Sequence, residues 1–187
     1  MTSDSIVIIP TYNEKENIEK IIRAVLGLEK SFNVLVIDDG SPDGTAQIVH
    51  RLMTDEFASR LFIIERSGKL GLGTAYITGF KWAIEKGYEY IFEMDADFSH
   101  DPNDLPRLYE ATSKEGYDVA VGSRYVSGVN VVNWPIGRVL MSYFASKYVQ
   151  IVTGFHVHDT TAGFVCYRRK VLETIPLDKI RFKGYAF

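Results

Sequence analysis

Residues 5–26, SIVIIPTYNEKENIEKIIRAVL, contain the pattern that decides the fold. A nearly continuous apolar run, Ser5–Ile9, passes through a polar segment into apolar residues at helical spacing. We expect a helix from about Glu14 to Leu28, with an apolar side formed by Ile18, Ile21, Ile22, Val25 and Leu26. A strand without polar alternation, followed by an amphipathic helix, is typical of a parallel sheet covered on both faces.

The same pattern recurs along the chain. Further apolar runs occur at Val34–Ile37, Leu61–Glu65, Tyr90–Met94 and Asp118–Val121. We expect three further helices. One begins near Asp43, which can cap its exposed amides, one covers roughly Thr74 to Glu85, and one follows Pro102. From Ser123 onward the alternation gives way to an irregular and helical stretch. The sequence therefore predicts an α/β protein with three α/β/α layers and a mostly parallel sheet.

Composition limits the functional classes. The 187 residues suffice for one compact domain, and a net charge of −3 without a basic stripe gives no reason to expect nucleic acid. The single cysteine excludes an internal disulfide and fits a reducing compartment. The first residues do not resemble an export signal, and no apolar stretch reaches 18 residues, so nothing in the sequence is expected to span a bilayer.

Acidic side chains end the fourth apolar run. Asp95 and Asp97 lie two apart, so in an extended chain their carboxylates point to one side, with alpha carbons about 6.6 Å apart. At about 5 Å and an effective dielectric of about 20, their repulsion is about 3 kcal/mol, which a divalent cation would reverse. Oxygen ligands favour Mg²⁺ or Mn²⁺ over zinc. The alternative is that Asp97 caps the next turn and Asp95 is merely solvated.

Other polar segments follow the other runs and would face the same crevice, because ligands of open parallel sheets collect at the carboxyl ends of strands. Asp39 is expected to contact a nucleotide while Asp38 supports the loop, although the segment also suits a simple turn. Tyr12 offers a stacking face and Glu14 an acceptor, although Asn13 or Thr11 could serve simply as a helix cap. Lys69, in a glycine-rich loop, could approach a diphosphate; a plain turn and helix start is the alternative.

A possible phosphate site comes from the later part of the chain. Arg124 follows the fifth run, and Arg138 and Ser142 are four apart, so they share a helix face. Two guanidinium groups and a hydroxyl would suit a phosphate dianion, with surface solvation as the alternative. The surrounding segment, Trp134 to Phe155, mixes aromatic and basic residues. It could pack on the sheet or lie in a membrane interface.

Together these segments resemble glycosyltransferase family 2 and, within it, the dolichyl- or polyprenyl-phosphate mannosyltransferases. The matching stretches are IIPTYNEKENI, VIDDGSPDGT, RSGKLGLGTAYITGF, EMDADFSHDP, VGSRYV, HDTTAGFVCYRR and FKGYAF. They cover nearly the whole chain in order. The resemblance implies the GT-A nucleotide-diphospho-sugar transferase fold, a GDP-mannose donor, a polyprenyl phosphate acceptor and a divalent cation, Mg²⁺ or Mn²⁺.

The resemblance also implies roles by motif position. The nucleotide sugar would be bound by Pro10, Tyr12, Glu14, Ile37, Asp39, Asp95, Ala96 and Asp97, with Lys69 added from the loop argument. The metal would meet Asp95, Asp97 and Ser99, although some relatives carry Gln at position 99. The acceptor phosphate would meet Arg124, Arg138 and Ser142, and the sugar would lie near Asp159, Thr160 and Gly163. Asp95, Asp97 and Arg124 are the expected catalytic residues.

The expected reaction is inverting transfer of mannose from GDP-mannose to a polyprenyl phosphate, with release of GDP. Two alternatives remain open: a related transferase that uses another sugar such as UDP-glucose or a non-lipid acceptor, and a non-catalytic nucleotide-binding module. Residues 1–187 are expected to form a single catalytic domain truncated at its C-terminal end, because the last motif breaks off at Phe187. We expect a cytoplasmic protein, peripheral at the cytoplasmic face of a membrane and attached through the missing segment, an anchoring partner or residues 134–155.

Overall fold

A computed structural model describes residues 3–124, 136–154 and 157–180, with the side chains of 136, 138 and 139 not described. Six strands form one sheet: β1 (Ser5–Thr11), β2 (Asn33–Asp38), β3 (Leu61–Glu65), β4 (Tyr90–Glu93), β5 (Val119–Val121) and β6 (Val165–Arg168). The helices are α1 (Ile18–Leu26), α2 (Thr45–Asp55), α3 (Leu72–Glu85), α4 (Leu105–Ser113), α5 (Ile136–Thr153) and α6 (Arg169–Thr174). Short 3₁₀ turns occur at Pro102–Asp104 and Leu177–Lys179.

The sheet is mostly parallel, as predicted. Its strand order is β3-β2-β1-β4-β6-β5, and β1 to β4 pair in parallel. Strand β6 runs antiparallel to both of its neighbours. It was not predicted, because its four residues lie in the stretch after Ser123, where the alternation of apolar runs and helices that marked the other strands has ended. Since the strand order reverses between β1 and β4, the main ligand crevice is expected there.

Helices cover both faces of the sheet and form the predicted three layers. On one face α1, α2 and α4 pack over β1, β2 and β4, and the five apolar residues predicted for α1 are all buried. On the other face α3 and α6 pack over the opposite side chains of the same strands. The two cores hold the strands in place, and this fixes the position of the sheet edge on which the polar loops lie.

Helix α1 begins later than expected, at Ile18 rather than near Glu14. The backbone amides of residues 13, 14 and 15 each donate to a side chain from the loop after β2 or the start of α2: Ser41, Thr45 and Asp43 respectively. Asn13 also has a positive φ of 63°, which interrupts a helical path. These contacts lock the first and second loops of the crevice together.

Candidate active site

A cavity of about 220 Å³ lies at the switch point between β1 and β4. We call it the β1–β4 cavity; its wall contains Pro10, Thr11, Tyr12, Glu14, Asp39, Lys69, Gly71, Leu72, Ala75, Asp95, Ala96 and Asp97. Eight of the nine residues expected to bind the nucleotide sugar are in that wall. The exception is Ile37, whose side chain is fully buried within the sheet.

Tyr12 and Lys69 face each other across this cavity. The Lys69 ammonium lies 4.6 Å from the centre of the Tyr12 ring, in a cation–π contact. Tyr12 remains 38% exposed, so its ring is accessible to a stacking partner. The loop that follows β3 therefore brings a cation to the same space as the carboxylates, as the sequence predicted.

Asp39 is held by a buried arginine that sequence reasoning did not identify. The guanidinium of Arg66 forms an ion pair with Asp39 and also donates to Thr74 Oγ1 (2.8 Å) and to the carbonyl of Gly71 (3.2 Å). The second carboxylate oxygen of Asp39 accepts from the amide of Leu70 at 3.1 Å. Arg66 thus ties the end of β2 to the loop that carries Lys69.

Asp38 has the supporting role expected of it. Its carboxylate accepts hydrogen bonds from Thr11 Oγ1 at 2.9 Å and from the amide and hydroxyl of Ser41. Both carboxylates at the end of β2 are therefore ordered by protein donors, and the β2 loop is fixed before any ligand binds.

Asp95 lies close to side chains and backbone from several elements of the site. Its carboxyl accepts from the Tyr76 hydroxyl at 3.2 Å, and burial together with the charge of Asp97 raises its pKa to about 6. A Cβ added at Gly163 would lie 3.2 Å from Asp95 Oδ2, so glycine allows the loop before β6 to approach closely. A buried carboxylate whose pKa is raised by a neighbouring carboxylate suits a cation between the two.

The chain turns sharply after Asp97. Phe98 has a positive φ of 58°, and the amide of Ser99 donates to Asp97 Oδ1 at 2.9 Å. Within the described residues no group of three His, Cys, Asp or Glu side chains could enclose a metal ion. The pair with Ser99 nevertheless fits Mg²⁺ or Mn²⁺, since Mg²⁺ usually takes one or two carboxylates and completes its shell with water and substrate phosphates.

A second cavity, of about 340 Å³, lies under α5 and is called the α5 cavity. It is lined by Asp95, Asp97, Ser99, His100, Arg124, Met141, Ser142, Ala145, Thr161 and Gly163. The structure thus brings Arg124 and Ser142 to the same cavity as the carboxylate pair. The side chain of Arg138 lies outside the described residues. His100 stacks on Phe164, and burial lowers its pKa to about 4.

Arg124 is buried and bound to a carboxylate. Its Nε and Nη2 donate to the two oxygens of Asp159 at 2.7 and 2.8 Å, and Nη2 also donates to Thr161 Oγ1 at 2.7 Å. Thr161 Oγ1 in turn lies 3.0 Å from Ser142 Oγ. Although burial opposes ionisation, the hydrogen bonds from Arg124 hold the pKa of Asp159 below its usual range.

A third cavity, of about 220 Å³, lies between α3 and the strands β4, β5 and β6; we call it the α3–β6 cavity. Its wall contains Leu72, Tyr76, Glu93, Asp95, Val119, Val121, Val157, Val165 and Tyr167, together with residues 159–163. Burial raises the pKa of Glu93 to about 8. A glutamate within the apolar run 90–94 was the available sequence signal, and sequence reasoning did not use it.

A doubly covered sheet with polar side chains at its switch point defines a nucleotide-binding class of α/β protein, and comparison with known proteins shows that the fold is GT-A. The family model described as glycosyl transferase family 2 matches residues 6–176. The chain belongs to this family and is a glycosyltransferase. It is 45% identical to polyprenol monophosphomannose synthase of Mycolicibacterium smegmatis, over 100% of this chain and 69% of that protein. It is 42% identical to undecaprenyl-phosphate mannosyltransferase of Micrococcus luteus, over 97% and 73%.

Solved structures share the fold at low identity. A mannosyltransferase from Pyrobaculum calidifontis, in complex with GDP-Man and Mn²⁺, superposes with a TM-score of 0.64 at 21% identity, covering 92% of this chain and 46% of that one. Glucosyl-3-phosphoglycerate synthase from Mycobacterium tuberculosis, in complex with Mn²⁺, UDP and glucosyl-3-phosphoglycerate, gives 0.67 at 21% identity, covering 97% and 61%. The GT-A fold predicted from the sequence is confirmed.

Proposed function

We propose that this protein transfers mannose from GDP-mannose to a polyprenyl phosphate and releases GDP, with inversion at the anomeric carbon. One observation carries the proposal: Asp95 and Asp97 border both the cavity with Tyr12 and Lys69 and the cavity with Arg124 and Ser142. A donor on one side and an anionic acceptor on the other would meet at the carboxylate pair. The names of the relatives from Mycolicibacterium smegmatis and Micrococcus luteus support the acceptor class.

The β1–β4 cavity would bind the nucleotide and its diphosphate. Tyr12 would stack on the donor, Asp39 and Glu14 would accept hydrogen bonds, and Lys69 would neutralise the phosphates. Asp95, Asp97 and Ser99 would hold Mg²⁺ or Mn²⁺ jointly with the diphosphate. The cation would stabilise the negative charge that develops on the departing GDP.

The α5 cavity would bind the acceptor phosphate through Arg124 and Ser142. An acceptor oxygen would form the new bond to the anomeric carbon while the bond from that carbon to the GDP oxygen breaks. A phosphate monoester has a second pKa of about 6, so the acceptor is mostly a dianion at neutral pH and needs no strong general base. Arg124 would bind and orient this dianion, because Asp159 fixes the guanidinium in the cavity wall.

The isoprenoid chain of the acceptor requires that the protein act at a lipid surface. Helix α5 has an apolar surface that suits contact with lipid. Met141, Phe144, Tyr148 and Ile151 form a stripe at helical spacing, and Met141 and Ile151 are 70% and 82% exposed. Soluble monomers rarely leave such a patch open to water. The helix sequence contains Arg and Lys but no acidic residue, which favours an anionic membrane. None of the helices in the described ranges has the length and hydropathy to cross a bilayer.

The test is a donor panel with a short polyprenyl phosphate acceptor, run with and without a chelator. We expect product from GDP-mannose with Mg²⁺ or Mn²⁺, none after chelation, and none from the Asp97→Ala variant, whose circular dichroism should match the parent. Product from UDP-glucose and from no other donor would show that the transferred sugar is glucose and not mannose. Binding of GDP with no transfer from any donor would favour a non-catalytic module, and near-normal turnover by Asp97→Ala would contradict the metal assignment.

A further inference from the structure

A buried tyrosine contacts the Asp95 carboxylate and has no role in the reaction described so far. Tyr76 lies on α3, and its hydroxyl donates to Asp95 Oδ1 at 3.2 Å. The side chain is 1% exposed, so the hydroxyl reaches the site from inside the protein. Because Asp95 borders all three cavities, the orientation of its carboxylate affects the whole site.

Aromatic packing holds the Tyr76 ring. The ring stacks on Phe80, with centroids 6.2 Å apart and an interplanar angle of 23°. Phe80 in turn meets Tyr167 of β6 edge to face at 5.6 Å. Close-packed side chains of this kind stay in one rotamer, so the hydroxyl is placed at Asp95 before any ligand binds. A phenol is protonated at neutral pH and an ionised carboxylate can only accept, so Tyr76 is the donor of this bond.

The two oxygens of Asp95 are constrained from different sides. Tyr76 contacts Oδ1, whereas the backbone at Gly163 comes so close to Oδ2 that a Cβ there would lie 3.2 Å away. Asp97, by contrast, is exposed, and its Oδ1 accepts from the amide of Ser99, two residues further on. The pair therefore combines a carboxylate fixed by the protein interior with one on a surface turn.

We propose that Tyr76 is a positioning residue that orients the Asp95 carboxylate for the divalent cation. The proposal rests on the proposed function, which assigns a cation to Asp95 and Asp97. Hydrogen bonds to a ligating carboxylate hold it in the geometry that the cation needs, and their loss typically costs about 10–100-fold in metal affinity. The start of α3 also carries Thr74, which accepts from Arg66, so one helix contacts both the loop that carries Lys69 and the metal-binding carboxylate.

The test measures the binding of GDP by calorimetry as a function of Mn²⁺ concentration. In the parent, Mn²⁺ is expected to tighten GDP binding, and the Mn²⁺ concentration that gives half of this effect reports the affinity for the cation. Tyr76→Phe keeps the ring and removes the hydroxyl, so this concentration should rise about tenfold. The dissociation constant of GDP without Mn²⁺ should change less than about twofold, because the variant leaves the nucleotide contacts in place.

Tyr88→Phe is the matched control. Tyr88 is 2% exposed and belongs to the same core, and its hydroxyl accepts from Asn33 Nδ2 at 2.7 Å at the opposite end of the sheet. Its loss should leave both quantities within about twofold of the parent, because distant sites act independently. 4-Aminophenylalanine in place of Tyr76 keeps a donor on the ring and should hold the half-maximal Mn²⁺ concentration within about threefold of the parent.

An unchanged half-maximal Mn²⁺ concentration in Tyr76→Phe would overturn the role of Tyr76. Equal weakening of GDP with and without Mn²⁺ would overturn it as well, since that result indicates general damage to the site. Failure of the proposed function is distinguishable, because it shows in the parent: a GDP affinity that does not depend on Mn²⁺ there would contradict the metal assignment itself. Circular dichroism of the parent and all three variants checks that each is folded.

Discussion

The buried pair of Arg124 and Asp159 is an ionic contact on which the α5 cavity depends. Asp159 is 1% exposed and Arg124 6%, and their bidentate contact joins the end of β5 to the loop before β6. Removing one partner of a buried pair leaves the other charge uncompensated and costs about 3–5 kcal/mol. We therefore expect Asp159→Asn to lower the free energy of unfolding by about that amount in urea titrations.

The control for this prediction is an exposed pair. Glu110 on α4 and Lys114 just after its end are four residues apart and at least half exposed, so Glu110→Gln should cost less than about 1 kcal/mol. Because the pKa of Asp159 lies below its usual range, its contribution is present above the unfolded-state pKa of about 3.9 and is lost as pH falls through the lower folded value. The difference between parent and Asp159→Asn should therefore shrink in strong acid. A constant difference down to the lowest pH would contradict this account.

At the residue scale, the sequence predicted the groups that follow strand ends and missed the groups that act through partners distant in sequence. Asp95 and Asp97 could be placed because carboxyl ends of parallel strands share one edge. Arg66 could not, because its function comes from Asp39, 27 residues earlier, and from the start of α3. Glu93 was missed because its strand partner, Val165, belongs to the strand that had not been predicted.

At the element scale, α5 both lines the α5 cavity and faces outward with an apolar stripe. Ser142 and Ser146 attach the helix to the loop before β6 through Thr161 and Thr160. Met141 borders the α5 cavity, and the other three residues of the stripe lie on the side of the helix away from these contacts. The sequence identified the mixture of aromatic and basic residues but could not decide between packing and exposure, because that choice depends on which helix face the loop occupies.

We expect α5 to bind membranes through this stripe. A Phe144→Glu, Ile151→Glu double variant should lose most cosedimentation with anionic vesicles, because it places charge where apolar side chains enter the interface. Both positions are at least 63% exposed, so stability should change little. Tyr117→Ser, which removes a 60% exposed aromatic ring from the loop before β5, is the control. Equal binding by the double variant and the control would refute the assignment.

At the scale of the whole molecule, the site is an assembly of two parts of the sheet. The β1–β4 cavity is formed by residues that follow strands β1 to β4, and these strands have the repeating pattern that the sequence displays. The α5 cavity takes residues from α5 and from the segments after β5 and before β6, where that pattern ends. The sequence therefore predicted most of the lining of the β1–β4 cavity from the positions of strand ends, whereas the roles expected of Arg124 and Ser142 came from family resemblance together with a helical spacing.

The reactivity of the Cys166 thiol can show whether these two parts of the sheet unfold together. It lies in β6, between β4 and β5, is fully buried and contacts Thr112 Oγ1 at 3.3 Å. Burial raises the pKa of its thiol to about 12, so at about pH 8 only about one molecule in ten thousand would carry the thiolate. We expect iodoacetamide to leave the native protein unmodified and to label it in urea along the same curve as the loss of circular dichroism, because the central strands unfold as one unit. A Cys166→Ser variant, which takes no label, is the control. Labelling at urea concentrations that leave the circular dichroism intact would instead show that the β5–β6 edge opens by itself, while the part of the sheet that forms the β1–β4 cavity remains folded.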